Sequence, residues 1–175
     1  TRQVSSAASD VYKRQGLNAI LATGIGVSRL APVDADFHPI RDAVSKVYCY
    51  RIWQGSGKNP FVEPYCWRVT NLDLESMHKA ARLFVGTLDF ASFCASDSSA
   101  KTTVRTIFDV QIRRIGGLVE IWVHGGGFLK QMVRAIAGTL VEIGRGMRDP
   151  EDVPTILESC DRRKAGQTAP AQGLT

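Results

Sequence analysis

No stretch of the chain approaches the roughly 20 consecutive apolar residues that a membrane-spanning helix requires. The first residues also lack an apolar signal core, so neither a membrane span nor export is expected. The expected compartment is the cytoplasm, with an organelle as the alternative. Cysteine is sparse: Cys49, Cys66, Cys94 and Cys160 stand far apart, and no two form C-x-x-C. This excludes the common zinc and dithiol frameworks and favours reduced thiols. The three histidines, His38, His78 and His124, fall in no ligand spacing, so no metal is expected. There is no internal repeat. The "GGG" at 125–127 is not a phosphate loop, because the G-K-[ST] ending that surrounds a nucleotide with a lysine and a hydroxyl is missing.

What is present suits a globular protein with one real core: 175 residues, of which 44% are apolar and 22% charged. The net charge of +5 makes an anionic partner plausible without selecting nucleic acid. Part of that excess comes from Arg2, Lys13 and Arg14 in "TRQVSSAASDVYKRQ", a polar, aperiodic stretch that meets "GLNAIL" abruptly at Gly16. Residues 1–15 therefore read as a disordered leader or a junction foreign to the protein.

Beyond Gly16 the pattern alternates between periods. Residues 25–33 and 43–53 look strand-like, and "SKVYCYRIW" is rich in aromatic and branched residues. Period two puts Lys46, Tyr48, Tyr50 and Ile52 on one face and Val47, Cys49, Arg51 and Trp53 on the other. "GSGKNP" breaks the chain, and "VEPYCWRV" is a weaker strand. "NLDLESMHKAARLFVG" predicts a helix with Asn71 or Asp73 as N-cap, Met77, Ala80, Ala81 and Phe84 inward, and Gly86 as its stop. Residues 101–127 predict two strands joined at Gly116 and Gly117. A helix follows with an apolar stripe of Leu129, Met132, Val133, Ile136, Leu140 and Ile143. "DPEDVPTILESC" predicts a last short helix capped by Asp152, with Pro154 in its first turn. The order implies an α+β fold, a mostly antiparallel sheet with helices packed on one face.

Several groups could carry chemistry. Arg134 lies opposite the apolar stripe, in a row with Lys130, Gly138 and Arg145. Such a row can approach a phosphate or a carboxylate closely, or it can be a solvated outer face. Tyr48 and Tyr50, flanked by Lys46 and Arg51, suit either base stacking or a core. His124 fits a hydrogen-bonded strand end.

Five stretches shift this balance: "FHPIRDAVSKVYCYRI" at 37–52, "LDFASF" at 88–93, "VRTI" at 104–107, "GGFLKQMVRAIAGTLVEIGRG" at 126–146 and "DRRKAGQTAPAQGL" at 161–174. In this order and spacing the chain resembles the tRNA pseudouridine synthase A family from Gly16 to its end. The resemblance implies the pseudouridine synthase fold and an isomerase that needs no cofactor. Its target would be a uridine around positions 38–40 of the tRNA anticodon stem-loop, flipped into a pocket. It implies further that Tyr48, in K-x-Y-x-Y with Lys46, stacks on the base. Arg134, in M-V-R-x-I, would pair with the aspartate nucleophile, while Arg41, Lys130 and Arg145 become candidate tRNA contacts.

The sequence departs from the family pattern in three places. It contains no R-T-D-x-G-x-H-A motif, so no nucleophile is assigned, and Asp10 is not given the role. The family's last strand follows "TAPAxGL", where this sequence stops, so truncation at both ends is expected. The F-H-A-R position of the family is Ile40 here, with Arg41 beside it. The expected organisation is a leader over 1–15, a remnant of an N-terminal lobe over 16–60 and a C-terminal lobe over 61–175. The expected function is tRNA pseudouridine synthesis, with this chain an inactive fragment and the full-length protein a homodimer on tRNA. The alternative is a non-catalytic RNA-binding module or a degenerate paralogue.

Overall fold

The computed structural model describes residues 7–175, so the first six residues of the stretch read as a leader lie outside the described residues. The chain divides between residues 43 and 44 into two compact units. In the first unit, α1 spans Ala7–Ile20 and continues through Gly16. The Asn18 amide clasps Val27 from both sides, donating to its carbonyl (2.9 Å) and accepting from its N–H (2.7 Å). Residues 25–33 form no strand, contrary to expectation. Both backbone groups of Val27 are taken by Asn18, and Pro32 offers no N–H to a ladder.

The second unit is a five-stranded sheet: β1 (Lys46–Trp53), β2 (Trp67–Arg68), β3 (Gly86–Asp89), β4 (Val104–Ile115) and β5 (Leu118–Gly125), in the order β2-β1-β5-β4-β3. Only β1 and β2 run parallel; every other pairing is antiparallel. The hairpin turns at Gly116 and Gly117 as predicted, with Ile115 opposite Leu118. "VEPYCWRV" yields a short 3₁₀ turn over Glu63–Tyr65, which holds Pro64, and only the two-residue β2.

The alternation in β1 has its expected consequence. Tyr48, Tyr50 and Ile52 stand opposite Val123, Ile121 and Val119, and Val110 and Ile112 of β4 continue the same rows. On this face Tyr50, Ile52, Val119, Ile121 and Val123 are fully buried. Each such aliphatic side chain contributes about 1.5–3 kcal/mol through burial. Helix α2 (Leu74–Arg82), capped by Asp73, which accepts from the Glu75 N–H at 2.9 Å, buries Met77, Ala80 and Ala81 as predicted. Helix α3 (Met132–Gly144) buries the predicted stripe from Met132 to Ile143, while Leu129, expected on the same helix, is buried in the turn before it.

Two expectations for the helices need correction. Asp152 is the first residue of α4 (Asp152–Glu158) rather than its cap, and its carboxylate accepts instead from the Asp149 N–H (3.1 Å). The face of α3 around Gly138 is not solvated, because residues 165–169 lie along it. A Cβ at Gly138 would stand 1.7 Å from the Gln167 carbonyl oxygen, so only glycine permits that approach. Thr139 Oγ1 accepts from the Gly166 N–H (2.9 Å), and Glu142 Oε1 accepts from the Gln167 N–H (2.8 Å). The helix is therefore covered on both sides, and Ala135, Ala137 and Val141 are buried together with the stripe.

The opposite face of the sheet is polar. Glu120 accepts from Arg51 Nε (3.3 Å) and Trp122 Nε1 (2.9 Å), while Arg113 reaches Gln111 and lies 5.8 Å from the centroid of the Trp122 ring. The last residues pair with the remaining edge of β1, where Cys49 and Thr175 exchange two backbone hydrogen bonds of 2.9 Å. Among the described residues no helix is long and apolar enough to cross a membrane, and no group of three His, Cys, Asp or Glu side chains converges as a metal site.

Candidate active site

Where the helix-covered face of β1 meets the start of α3, a cleft of about 260 Å³ opens between Tyr48, Phe128, Lys130, Gln131, Arg134 and Leu174. β1 brings Tyr48 there by period two, two residues short of the fully buried Tyr50. The turn between β5 and α3 brings Phe128, whose ring meets that of Tyr48 edge to face (centroids 5.1 Å apart, planes at 86°). Gln131 enters α3 with φ 61°, a left-handed conformation seldom taken by a residue other than glycine. Such backbone strain persists only where the surrounding structure over-determines it.

Arg134 projects from the first turn of α3. Its Nε donates to the Ala169 carbonyl (2.7 Å), and its own carbonyl accepts from the Ala169 N–H (3.1 Å). This reciprocal pair anchors the guanidinium through one nitrogen and leaves its two terminal nitrogens without a partner among the described residues. No carboxylate lies within ion-pair distance of it there. A guanidinium fork held in this way can receive a planar carboxylate through two parallel hydrogen bonds, which an ammonium cannot do. The same segment is tied to β1 by the Tyr50 hydroxyl, which donates to the Pro170 carbonyl (2.7 Å). Burial raises the Tyr50 hydroxyl well above the usual tyrosine range, and the Arg134 charge acts in the opposite sense.

The other residues singled out from the sequence are distributed less tightly. Lys46 begins β1 on the Tyr48 face and has no ion-pair partner among the described residues. Lys130 lines the cleft, but its ammonium is engaged by Asp97 at 2.5 Å, and this pairing lowers the Asp97 carboxyl. Arg145 follows the last turn of α3, eleven residues from Arg134, or about 16 Å along a helix axis. Arg41 belongs to the first unit, in a turn where Asp42 accepts from the His38 N–H (2.7 Å) and from Arg41 Nε (3.0 Å). The His38 N–H, followed by Arg41, holds the Asp42 carboxyl below its ordinary range. His124, opposite Val47 in the ladder, meets the Phe108 ring at 5.1 Å.

Sequence reasoning passed over Phe128, Leu174 and the Ala169 carbonyl. Phe128 and Leu174 lay inside the quoted motifs, but periodicity cannot reveal that residues 80 and 126 positions beyond Tyr48 close one cleft with it.

The model of the tRNA pseudouridine synthase family matches residues 80–175. The chain is 47% identical over 160 residues to a tRNA pseudouridine synthase A of Geotalea uraniireducens, covering 91% of this chain and 66% of that protein. It is 42% identical over 170 residues to that of Geobacillus kaustophilus, covering 97% of this chain and 66% of the relative. With that of Syntrophotalea carbinolica it shares 46% over 162 residues, covering 92% and 64%. The chain thus spans about two thirds of the length of these curated relatives. By the motifs in register, the sheet that carries them and these matches, the chain belongs to the tRNA pseudouridine synthase A family.

Proposed function

We propose that the cleft receives a uridine of the tRNA anticodon stem-loop, around positions 38–40, and forms part of the site in which an isomerase converts it to pseudouridine. The observation that carries this is the arginine fork: Arg134 is fixed by the Ala169 carbonyl, faces the same cleft as Tyr48 and has no acid partner among the described residues. In the reaction the bond from uracil N1 to the ribose breaks, a bond from C5 to the ribose forms, and the C5 proton is lost while N1 gains one. Tyr48 serves as the stacking surface for the flipped base, which offsets the cost of unstacking. Arg134 orients a carboxylate nucleophile and keeps it ionised. Lys46, Arg41, Lys130 and Arg145 contact tRNA phosphates; Lys130 must exchange Asp97 for a phosphate to do so. No cofactor enters this scheme. On the resemblance alone, the full-length protein is a cytoplasmic homodimer.

Two measurements test the proposal. Affinity of the chain for an anticodon stem-loop should fall with rising salt, and Lys46→Ala should reduce the slope of log K against log salt by about one. Salt-insensitive binding would overturn it. Pseudouridine formation should be absent with this chain alone, because its sequence contains no R-T-D-x-G-x-H-A motif; turnover would show that another carboxylate serves. The missing motif and the unpaired Arg134 also favour a second reading, an RNA-binding module without catalysis. Adding the upstream coding sequence separates the two, since only the first expects turnover to appear.

A further inference from the structure

The Tyr48 ring can serve as a platform for a base only if its plane is fixed, and β1 alone does not fix it. The strand sets the direction of the Cα–Cβ bond, whereas the terminal torsion of a tyrosine is broad. The Tyr48 hydroxyl forms no hydrogen bond among the described residues. The aromatic neighbour that remains is Phe128, edge-on at 86° with centroids 5.1 Å apart.

Phe128 is itself tightly placed. Gly125, the last residue of β5, approaches the Thr106 carbonyl so closely that a Cβ would stand 2.7 Å from that oxygen and 3.1 Å from Phe128 Cζ. The bare Gly125 backbone is thus the seat of the Phe128 ring. The Gly126 N–H donates to the same Thr106 carbonyl (3.0 Å) and fastens the turn to β4. On the other side of Phe128, Leu129 and Met132 are buried and hold the chain to the core. The turn that delivers the ring is therefore anchored both before and after it.

We infer that Phe128 is a positioning residue: seated over Gly125, it clamps the Tyr48 ring at a near right angle and presents its free face to the incoming uridine. Edge-to-face contact is a favoured geometry for such a pair. A platform held in its bound orientation before the ligand arrives loses less freedom on binding than one that rotates. The inference rests on Tyr48 receiving the base as proposed above.

The test uses two RNA anticodon stem-loops, one with uridine at a position from 38 to 40 and one abasic there, and reads the ratio of their affinities for the whole chain. Tyr48→Ala is expected to lower this uridine preference by about tenfold, the scale of one lost stacking contact. Phe128→Leu, which keeps an apolar side chain of similar bulk, is expected to lower it by about threefold to tenfold, and Phe128→Tyr, which retains the ring, to restore it. In the Tyr48→Ala background, Phe128→Leu should change the ratio by less than about twofold, because the residue it positions is gone. An unchanged ratio in Phe128→Leu, or an equal loss with and without Tyr48, would overturn the inference. If Tyr48→Ala itself leaves the ratio unchanged, the base-platform role of Tyr48 fails first. A thermal melt of Phe128→Leu close to that of the parent separates positioning from unfolding.

Discussion

The two faces of β1 carry comparable polar chemistry but handle it differently. On the open face, Arg51, Glu120 and Trp122 are hydrogen-bonded in a chain, and Arg113 bridges Gln111 and the Trp122 ring. On the covered face, Tyr48 stands at the rim of a cleft whose arginine, Arg134, is held by a carbonyl and has no acid beside it among the described residues. The difference lies in pairing: the Arg51 guanidinium has Glu120 beside it, whereas Arg134 has no acid partner among the described residues. Charges that satisfy one another stabilise a surface modestly, whereas a fixed and unmatched donor waits for a ligand.

The largest effect should come from breaking the cover of α3. Gly138→Ala places a methyl group where the Gln167 carbonyl now sits, so residues 165–169 must lift and release the Ala169 clamp on Arg134. Overpacking against backbone is expected to cost about 3 kcal/mol or more, measured as a fall in urea midpoint. Binding of the stem-loop should weaken as well.

A smaller loss is expected at high pH, and it draws on both faces. The buried Cys49 thiol is pushed up from 9.0 to about 11, first by desolvation and then by Glu120, and the Tyr50 hydroxyl is raised by burial. Both fold as neutral groups. The unfolded chain releases these protons at lower pH than the folded one, so stability is fully present below about pH 9 and falls as the pH rises toward 11. Denaturant midpoints across that window check the sign; a rise would contradict it. The smallest effect should be that of Arg113→Ala on the open face, about 0.5–1 kcal/mol from its exposed stacking contact, with no change in RNA affinity.

Legibility from sequence followed the range of the forces involved. α2, the Gly116–Gly117 hairpin and the alternation of β1 were readable because caps, turns and periodicity are local. Residues 25–33 misled because branched residues suit a strand only when a partner lies alongside, and here Asn18 occupies the backbone of Val27. The α3 wheel showed the apolar stripe correctly but took Gly138 for part of an open face. Its true neighbour, Gln167, is 29 residues away, at a close approach that composition does not encode. In the site, Tyr48 and Arg134 were assigned through motif register, since their patterns alone favour a core strand and a solvated helix face. Phe128 escaped because its place depends on how a turn folds back over Gly125.

The most direct test of the comparison is a photocrosslink from an anticodon stem-loop carrying 5-iodouridine at a position from 38 to 40, with the modified peptide mapped by mass spectrometry. The expected product joins the base to Tyr48 on the covered face of β1, and Tyr48→Ala abolishes it. A crosslink to Trp122 on the open face, with Tyr48 unmodified, would contradict the account.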